Sequence, residues 1–325
     1  MVHFNDLLLE PVKKISFKLL VAKRKKWWNG DAKYVTPGID PIAVFKELIN
    51  SSSPVMIAKY GSTELTCVLA YILSKSKESY FQKALMFFKG DIPTFWFGYK
   101  NTTEICANSG FFPNDLKLIK KFSERMLEDT KLMDIFLTWI NGEKYTFPYF
   151  SANCKIVHLW DTQPFFQSDP WTMFLKGKKV LVIHPYAKSI LNQYKKRELI
   201  FPDKQILPAM DLKTFKAVQT IENNKSEFET WFDALDYMKN EIEKIDFDIA
   251  LIGAGAYGLP LAADIKRMGK KAIHIGGTLQ IYFGIRGLRW EKDPNFQNII
   301  NEHWVRPLPE EYPLRYKQME GGAYW

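Results

Sequence analysis

Residues 248–258 have the sequence DIALIGAGAYG, and this stretch decides the fold. A short apolar run is typical of a buried strand, and the glycines that follow it match the pattern G-x-G-x-x-G. The next residues favour a helix from Leu259 to Met268 and a second strand from Lys271 to Ile275. A strand, a glycine loop, a helix and a strand in this order predict a unit with two parallel strands.

Two earlier segments repeat this alternation. Val55–Ala58 and Val180–Ile183 are apolar runs, followed by a turn that contains Gly61 and by a loop that begins at His184. The repetition predicts an α/β fold, a Rossmann-like, mostly parallel sheet with helices on both faces. Ligands bind such sheets beyond the carboxyl ends of the strands, so we expect the three loops to meet at one crevice.

Positive charge is concentrated at the N-terminus. The net charge of the chain is +9, and residues 1–30 contribute +5 of it, because they hold seven Lys or Arg against Asp6 and Glu10. Bases alternate there with leucines and precede Trp27 and Trp28, a composition that suits an anionic membrane surface. The alternative is a basic, solvated helix packed on the body. We expect a basic amphipathic segment over residues 1–32 and an α/β domain over residues 33–325 with a Pro-rich C-terminal tail.

The composition excludes several classes of protein. Of the 325 residues, 46% are hydrophobic and 25% charged, which is typical of a globular chain. The longest apolar run, residues 249–263, is shorter than the roughly 18 residues of a membrane span, and no secretory signal is evident. Three cysteines far apart predict thiols in a reducing compartment. We expect a cytoplasmic protein, peripheral on the inner face of the cell membrane, without a nucleic-acid partner because the body has no basic stripe.

The glycine loop is the first candidate binding site. Backbone N–H groups of Gly253, Gly255, Tyr257 and Gly258 are expected to hold a diphosphate at the start of the following helix. A dinucleotide site would need an acidic residue about 20 positions further on, and the strand that ends at Gly276 has none. NAD is therefore disfavoured relative to another nucleotide diphosphate. The alternative is that the glycines only allow tight packing of helix on sheet.

The turn after the first strand carries a carboxylate. Gly61 and Ser62 precede Glu64, which opens the next predicted helix. A carboxylate in this position can bind a divalent ion, act as a general base, or stabilise the helix N-terminus electrostatically. The residues alone leave these three roles open.

Two further clusters combine histidine with basic residues. The first cluster follows the strand that ends at Ile183 and comprises His184, Lys188, Lys196 and Arg197. Its side chains suit phosphate oxygens, and the alternative is a solvated basic helix face. The second cluster comprises His274, Gly276, Gly277, Arg286, Arg289 and Trp290. It combines glycines and arginines with an indole that is able to stack on a base or sugar. The alternative is a core histidine with surface arginines.

Several of these segments resemble a known family. Residues 57–65, IAKYGSTEL, resemble the strand–turn motif of GT-D-fold glycosyltransferases, commonly an Arg, an aromatic residue, Gly, then Asp-x-Glu. Residues 248–277 resemble that family's later strand, glycine loop, helix and strand. Residues 177–185, 253–261 and 320–325 look like uncharacterised proteins of bacterial capsule and exopolysaccharide clusters.

The resemblance implies transfer of a sugar from a nucleotide-sugar donor to a polysaccharide or a lipid-linked glycan acceptor. In that family the Asp-x-Glu pair binds the metal that holds the donor diphosphate, which would be Mn²⁺ or Mg²⁺. Ser62 stands in the Asp position here, so that Glu64 would bind a metal with one fewer charge. His184 and His274 are secondary candidates for the base. The competing hypotheses are an NAD(P)-binding oxidoreductase and a non-catalytic scaffold of polysaccharide assembly.

Overall fold

A seven-stranded sheet forms the centre of the protein. The computed structural model of the chain describes residues 5–11, 34–203 and 205–325. The sheet order is β3-β2-β1-β7-β6-β4-β5, and every pairing is parallel. The strands are β1 Val55–Ala58, β2 Ile135–Thr138, β3 Lys155–His158, β4 Lys179–His184, β5 Asp211–Lys216, β6 Ile249–Ile252 and β7 Lys271–His274. The predicted α/β fold is confirmed, and the sheet is parallel throughout rather than mostly so.

Helices cover both faces of this sheet. Local sequence sets several of their ends: the Asp40 carboxylate caps the first helix, which has Pro41 at its first position, and Ser79 and Thr230 open capping boxes. The helices are α1 Pro41–Asn50, α2 Ser62–Lys75, α3 Tyr80–Lys89, α4 Tyr99–Ser109, α5 Leu116–Thr130, α6 Ala187–Tyr194, α7 Arg197–Ile200, α8 Trp231–Glu243, α9 Gly258–Arg267, α10 Leu288–Glu291 and α11 Pro294–Gln297. Short 3₁₀ segments, a longer 3₁₀ segment of eight residues at Gly276–Phe283 and a π-helical turn at Asn5–Leu9 complete the described elements.

The strands are buried on both faces. In β1, Met56 and Ala58 belong to the core under α2, α5, α8 and α9, whereas Val55 and Ile57 belong to the core under α1, α6 and the chain after β7. Alternate side chains of a strand point to opposite faces, so both sets must be apolar. This double burial explains why the strands have continuous apolar sequences.

The connections create a crevice at the carboxyl edge of the sheet. After β4 the chain crosses to β5 on one side, and after β6 it crosses to β7 on the other side. Neighbouring strands whose connections diverge in this way leave an opening between the loops, where α/β proteins bind ligands.

The N-terminal predictions lie mostly beyond the described residues. Of the predicted membrane-binding segment 1–30, the structure describes only residues 5–11. Within the described ranges, no helix combines the length and the apolar character needed to cross a bilayer.

Candidate functional site

A cavity of about 160 Å³ lies at the carboxyl edge of the sheet. The loops after β1, β2, β4, β5, β6 and β7 line it together with the C-terminal segment, so the predicted convergence of loops occurs. The predicted site residues that line it are Gly61, Ser62, Glu64, His184, Gly253, Gly255, Tyr257, His274, Gly276, Gly277 and Arg289. Segments that are far apart in the sequence thus form one site.

The glycines of the loop after β6 allow close packing around this cavity. A Cβ on Gly253 would lie 2.6 Å from Cδ2 of His184, and one on Gly258 would lie 1.9 Å from Cε1 of His274. Gly255 has a φ of +51°, and a Cβ there would lie 2.8 Å from the carbonyl oxygen of Ser109. The packing role is therefore real at all three positions, and Gly253 and Gly255 also line the cavity.

Glu64 is buried in the first turn of α2. Its side chain is 5% exposed and folds back over Gly61, where a Cβ would lie 1.9 Å from Oε2. The hydroxyl of Thr63 donates to Oε2 at 3.1 Å and is itself hydrogen-bonded to the hydroxyl of Ser109. A carboxylate in the first turn also interacts favourably with the helix dipole. The side chain is thus held in one orientation at the edge of the cavity.

The groups around Glu64 do not fit the predicted Mn²⁺ or Mg²⁺ site. Such ions need several oxygen ligands, usually including more than one carboxylate or phosphate. In the described part of the chain, no group of three His, Cys, Asp or Glu side chains converges on one point. Glu64 has hydroxyl groups as neighbours, and the ammonium of Lys59 lies near enough for Glu64 to raise its pKa. A lysine cation beside a single carboxylate disfavours a divalent ion there.

Lys59 is a cavity residue that the sequence analysis did not select. It follows β1 directly, is 8% exposed, and places Nζ 4.7 Å from the centroid of the Trp139 ring. A Cβ on Gly276 would lie 3.0 Å from this Nζ. Burial lowers the pKa of Lys59 to about 8, against the opposing effect of Glu64. The signal in the sequence was a basic residue directly after a buried strand, at the position where the GT-D motif commonly has Arg.

The two histidines of the site are buried and neutral. Nδ1 of His184 accepts a hydrogen bond from the backbone N–H of Tyr186 at 3.0 Å. Nδ1 of His274 lies 3.2 Å from the carbonyl oxygen of Ile252, to which it must donate because a carbonyl only accepts. Burial lowers the pKa of each imidazole to about 3. A group with this pKa is a poor proton acceptor near neutral pH, so the burial of both imidazoles disfavours them as the predicted base.

The C-terminal segment forms one wall of the cavity. Arg289 donates to the hydroxyl of Tyr324 at 2.7 Å and forms an ion pair with Glu320. A Cβ on Gly277 would lie 2.3 Å from the Tyr324 ring, and Trp325 is 4% exposed. The predicted tail is therefore part of the site.

Five predicted phosphate or stacking residues do not line the cavity. Lys188 and Lys196 are exposed on and after α6, and Arg197 forms an ion pair with Glu198. Arg286 lies near Glu291. Trp290 is 4% exposed and packs edge-on against Tyr324 in the core, so its faces are not offered to a base or sugar. These positions were predicted from their charge or type, whereas the structure places them in solvent, beside carboxylates or in the core.

Comparison with known proteins gives a short likeness. No protein-family model matches the chain, and no solved structure matches it. It is 26% identical over 88 residues to the thiamine thiazole synthases of Pyrococcus abyssi, Pyrococcus horikoshii and Pyrococcus furiosus. The matched region covers 27% of this chain and 33% of theirs. A likeness of this extent does not assign the chain to a family.

Proposed function

We propose that the protein is a glycosyltransferase that moves a sugar from a nucleoside-diphosphate-sugar donor to a hydroxyl of a glycan or lipid-linked acceptor. The observation that supports this most is the meeting, in one cavity, of a glycine loop, cationic side chains and a fixed carboxylate. The resemblance of residues 57–65 and 248–277 to the GT-D motifs supports the same reaction. The short likeness to thiamine thiazole synthases favours neither this function nor an alternative.

The donor diphosphate would bind at the glycine loop. Gly253 and Gly255 line the cavity just before α9, where the positive end of the helix dipole favours an anion. The predicted N–H donors at Gly253, Tyr257 and Gly258 are already hydrogen-bonded, to the carbonyl oxygens of Ile183, Ala254 and Gly255, so the loop would act through the dipole and the close approach of its backbone. Arg289 brings a guanidinium to the same cavity from α10. Guanidinium groups donate paired hydrogen bonds to phosphate oxygens. Donor binding by these groups requires no metal ligand.

Glu64 would take the proton of the acceptor hydroxyl. The acceptor oxygen forms a bond to the anomeric carbon while the bond from that carbon to the diphosphate oxygen breaks. The electron pair of the broken bond leaves with the diphosphate, and the hydroxyl proton passes to Glu64. Arg289 and the positive end of the α9 dipole would stabilise the charge that develops on the diphosphate. Thr63 holds Oε2, and among the described residues no donor occupies Oε1.

In this proposal, the acceptor determines where in the cell the protein acts. A lipid-linked acceptor lies at the inner face of the cell membrane, and the basic residues 1–30 would bring the site to that surface. Flotation of the full chain with anionic vesicles, compared with neutral vesicles, tests this part. Equal recovery with both would contradict it.

Calorimetry with a panel of nucleotides tests the function. The panel contains UDP-, GDP-, CMP- and TDP-sugars together with NAD and NADP, each with Mn²⁺ and with EDTA. We expect heat with at least one nucleotide sugar, and sugar transfer that falls about 100-fold in Glu64→Gln while donor binding persists. Glu47→Gln, a carboxylate on α1 outside the cavity, is the matched control. Heat with NAD or NADP alone would favour the oxidoreductase, and no heat at all would favour the scaffold.

A further inference from the structure

The ammonium of Lys59 forms no ion pair with any described residue, although Glu64 and Glu143 lie near enough to raise its pKa. The residue is 8% exposed, and its Nζ forms no hydrogen bond or ion pair with any residue that the structure describes. Its Nζ lies over the face of the Trp139 ring, 4.7 Å from the ring centroid. Burying a charged group without compensating hydrogen bonds is unfavourable, and the three N–H donors of an ammonium would normally be used. An unused buried cation that lines a cavity points to an anionic ligand.

The surroundings of this ammonium are rigidly built. Trp139 is fixed because its Nε1 donates to the carbonyl oxygen of Tyr60 at 2.7 Å and its backbone N–H donates to Glu143 at 3.1 Å. Glu143 is 2% exposed and also accepts from the hydroxyl of Thr138 at 2.5 Å. A Cβ on Gly276 would lie 2.8 Å from Cε of Lys59. The aromatic ring and the glycine thus both pack closely against the end of the lysine side chain.

The charged groups around Lys59 are Glu64 on α2, Glu143 after β2 and Arg289 on α10. Burial raises the pKa of Glu143 to about 8, so this carboxyl group is mostly protonated near neutral pH. Neither carboxylate forms an ion pair with it among the described residues, so its hydrogen-bonding capacity is retained for a ligand. Lys59 and Arg289 line the same cavity and together match an anion with more than one charge.

We propose that Lys59 is the cation that binds the diphosphate of the donor, so that the protein binds and uses this donor without a divalent metal. The inference rests on the proposed function and extends it to the electrostatics of the same site. The ammonium donates hydrogen bonds to phosphate oxygens at the turn where Glu64 alone provides too few ligands for a metal. Because Lys59 recognises the diphosphate rather than the sugar, inorganic pyrophosphate and nucleoside diphosphates should both use it.

Calorimetry in EDTA tests this role with pyrophosphate and with UDP, GDP and TDP as probes. The variants are Lys59→Met, Lys59→Arg and the exposed control Lys196→Met. We expect pyrophosphate and at least one nucleoside diphosphate to bind the wild type equally in EDTA and in Mn²⁺. Lys59→Met should bind about 100-fold more weakly, Lys59→Arg should stay within about tenfold of the wild type, and Lys196→Met should match the wild type.

The outcomes separate this inference from the proposed function. Binding that requires Mn²⁺, or that is unchanged in Lys59→Met, overturns the role of Lys59 even if sugar transfer is found. Lys59-dependent binding of pyrophosphate without any binding of nucleotide sugars supports the anion site and contradicts the transferase. No binding of any probe in EDTA overturns the inference. If Lys59→Met fails to fold, Lys59→Gln replaces it and the same ratios decide.

Discussion

Buried charges at two places in this molecule differ in their partners. Between α5 and α9, Arg125 and Arg267 each form ion pairs with both Asp129 and Asp264, at 2.6 to 2.9 Å. At the carboxyl edge of the sheet, Lys59 has no such pair among the described residues. Paired charges of the first kind hold two helices in register. A charge of the second kind opposes folding, and in our proposal it serves to bind a ligand.

The largest expected effect is a loss of stability when one member of the paired group is removed. In Asp129→Ala, Arg125 and Arg267 keep only Asp264 as a partner. The side chain of Asp129 is fully buried, and removing one member of a buried ion network costs about 3 to 5 kcal/mol. Urea unfolding followed by circular dichroism measures the free energy of unfolding. Glu128→Ala is the matched control, because its exposed ion pair with Lys131 should contribute less than about 1 kcal/mol. Equal effects of the two variants would show that the network does not stabilise the fold.

The next effect has the opposite sign and concerns the unpaired charge. Lys59→Met should raise the free energy of unfolding at pH 7 by up to about 3 kcal/mol. The reason is that the pKa of Lys59 is about 8 in the folded chain, whereas it has the ordinary lysine value of 10.5 in the unfolded chain. Between these values the unfolded chain binds more protons than the folded one, so the wild type gains stability as the pH rises from 8 to 10.5. The advantage of the variant is therefore present below pH 8 and disappears above about pH 10.5.

Urea unfolding at pH 7, 9 and 10.5 measures this difference. Lys196→Met, which changes an exposed lysine, should follow the wild type at every pH. A Lys59→Met protein that is less stable than the wild type at pH 7 would mean that the lysine contributes to the fold. The comparison between paired and unpaired charge would then fail.

A third, smaller effect concerns the glycines at the two ends of α9. Gly258→Ala should destabilise the protein by about 2 kcal/mol, because the new Cβ would lie 1.9 Å from the buried ring of His274. Gly269→Ala is the control, since nothing lies within 4 Å of its Cβ and only its φ of +78° disfavours alanine. The midpoint of thermal unfolding measures the change in stability, and calorimetry with pyrophosphate measures the change in binding. We expect only Gly258→Ala to lower binding, and a loss of binding in both variants would contradict the local explanation.

The sequence predicts the fold better than the site. The strands β1, β4, β6 and β7 are predicted to within one residue at most ends, because short apolar runs buried on both faces are bounded by turns. Parallel topology then brings Gly61, His184 and Gly253 to one edge. It does not tell which side chains face the cavity.

The cavity residues that were not predicted, and the predicted residues that lie outside the cavity, show why the sequence does not determine which side chains face it. Trp139 and Tyr324 reach the cavity from the loop after β2 and from the end of the chain, and no local pattern connects either to the glycine loop. Lys188 and Arg197 have the charge that a phosphate needs but lie on faces turned to solvent or to a neighbouring carboxylate. Charge and residue type can be read locally, whereas orientation toward a cavity depends on how the connections after β4 and β7 pack.

The smallest expected effect concerns a positive charge that lines the cavity and also has an acidic partner. Arg289 lines the cavity and is paired with Glu320, and both side chains are 38% exposed. A diphosphate that approaches Arg289 must compete with this carboxylate, so Glu320→Gln should tighten pyrophosphate binding by about threefold, the range of a solvent-exposed ion pair. Glu310→Gln, which removes an exposed partner of Lys188 outside the cavity, is the matched control. Calorimetry at low and high salt measures the difference, which screening should reduce at high salt. Weaker binding in Glu320→Gln would instead show that Glu320 positions Arg289 for the anion, and the pair would then belong with the structural charges between α5 and α9.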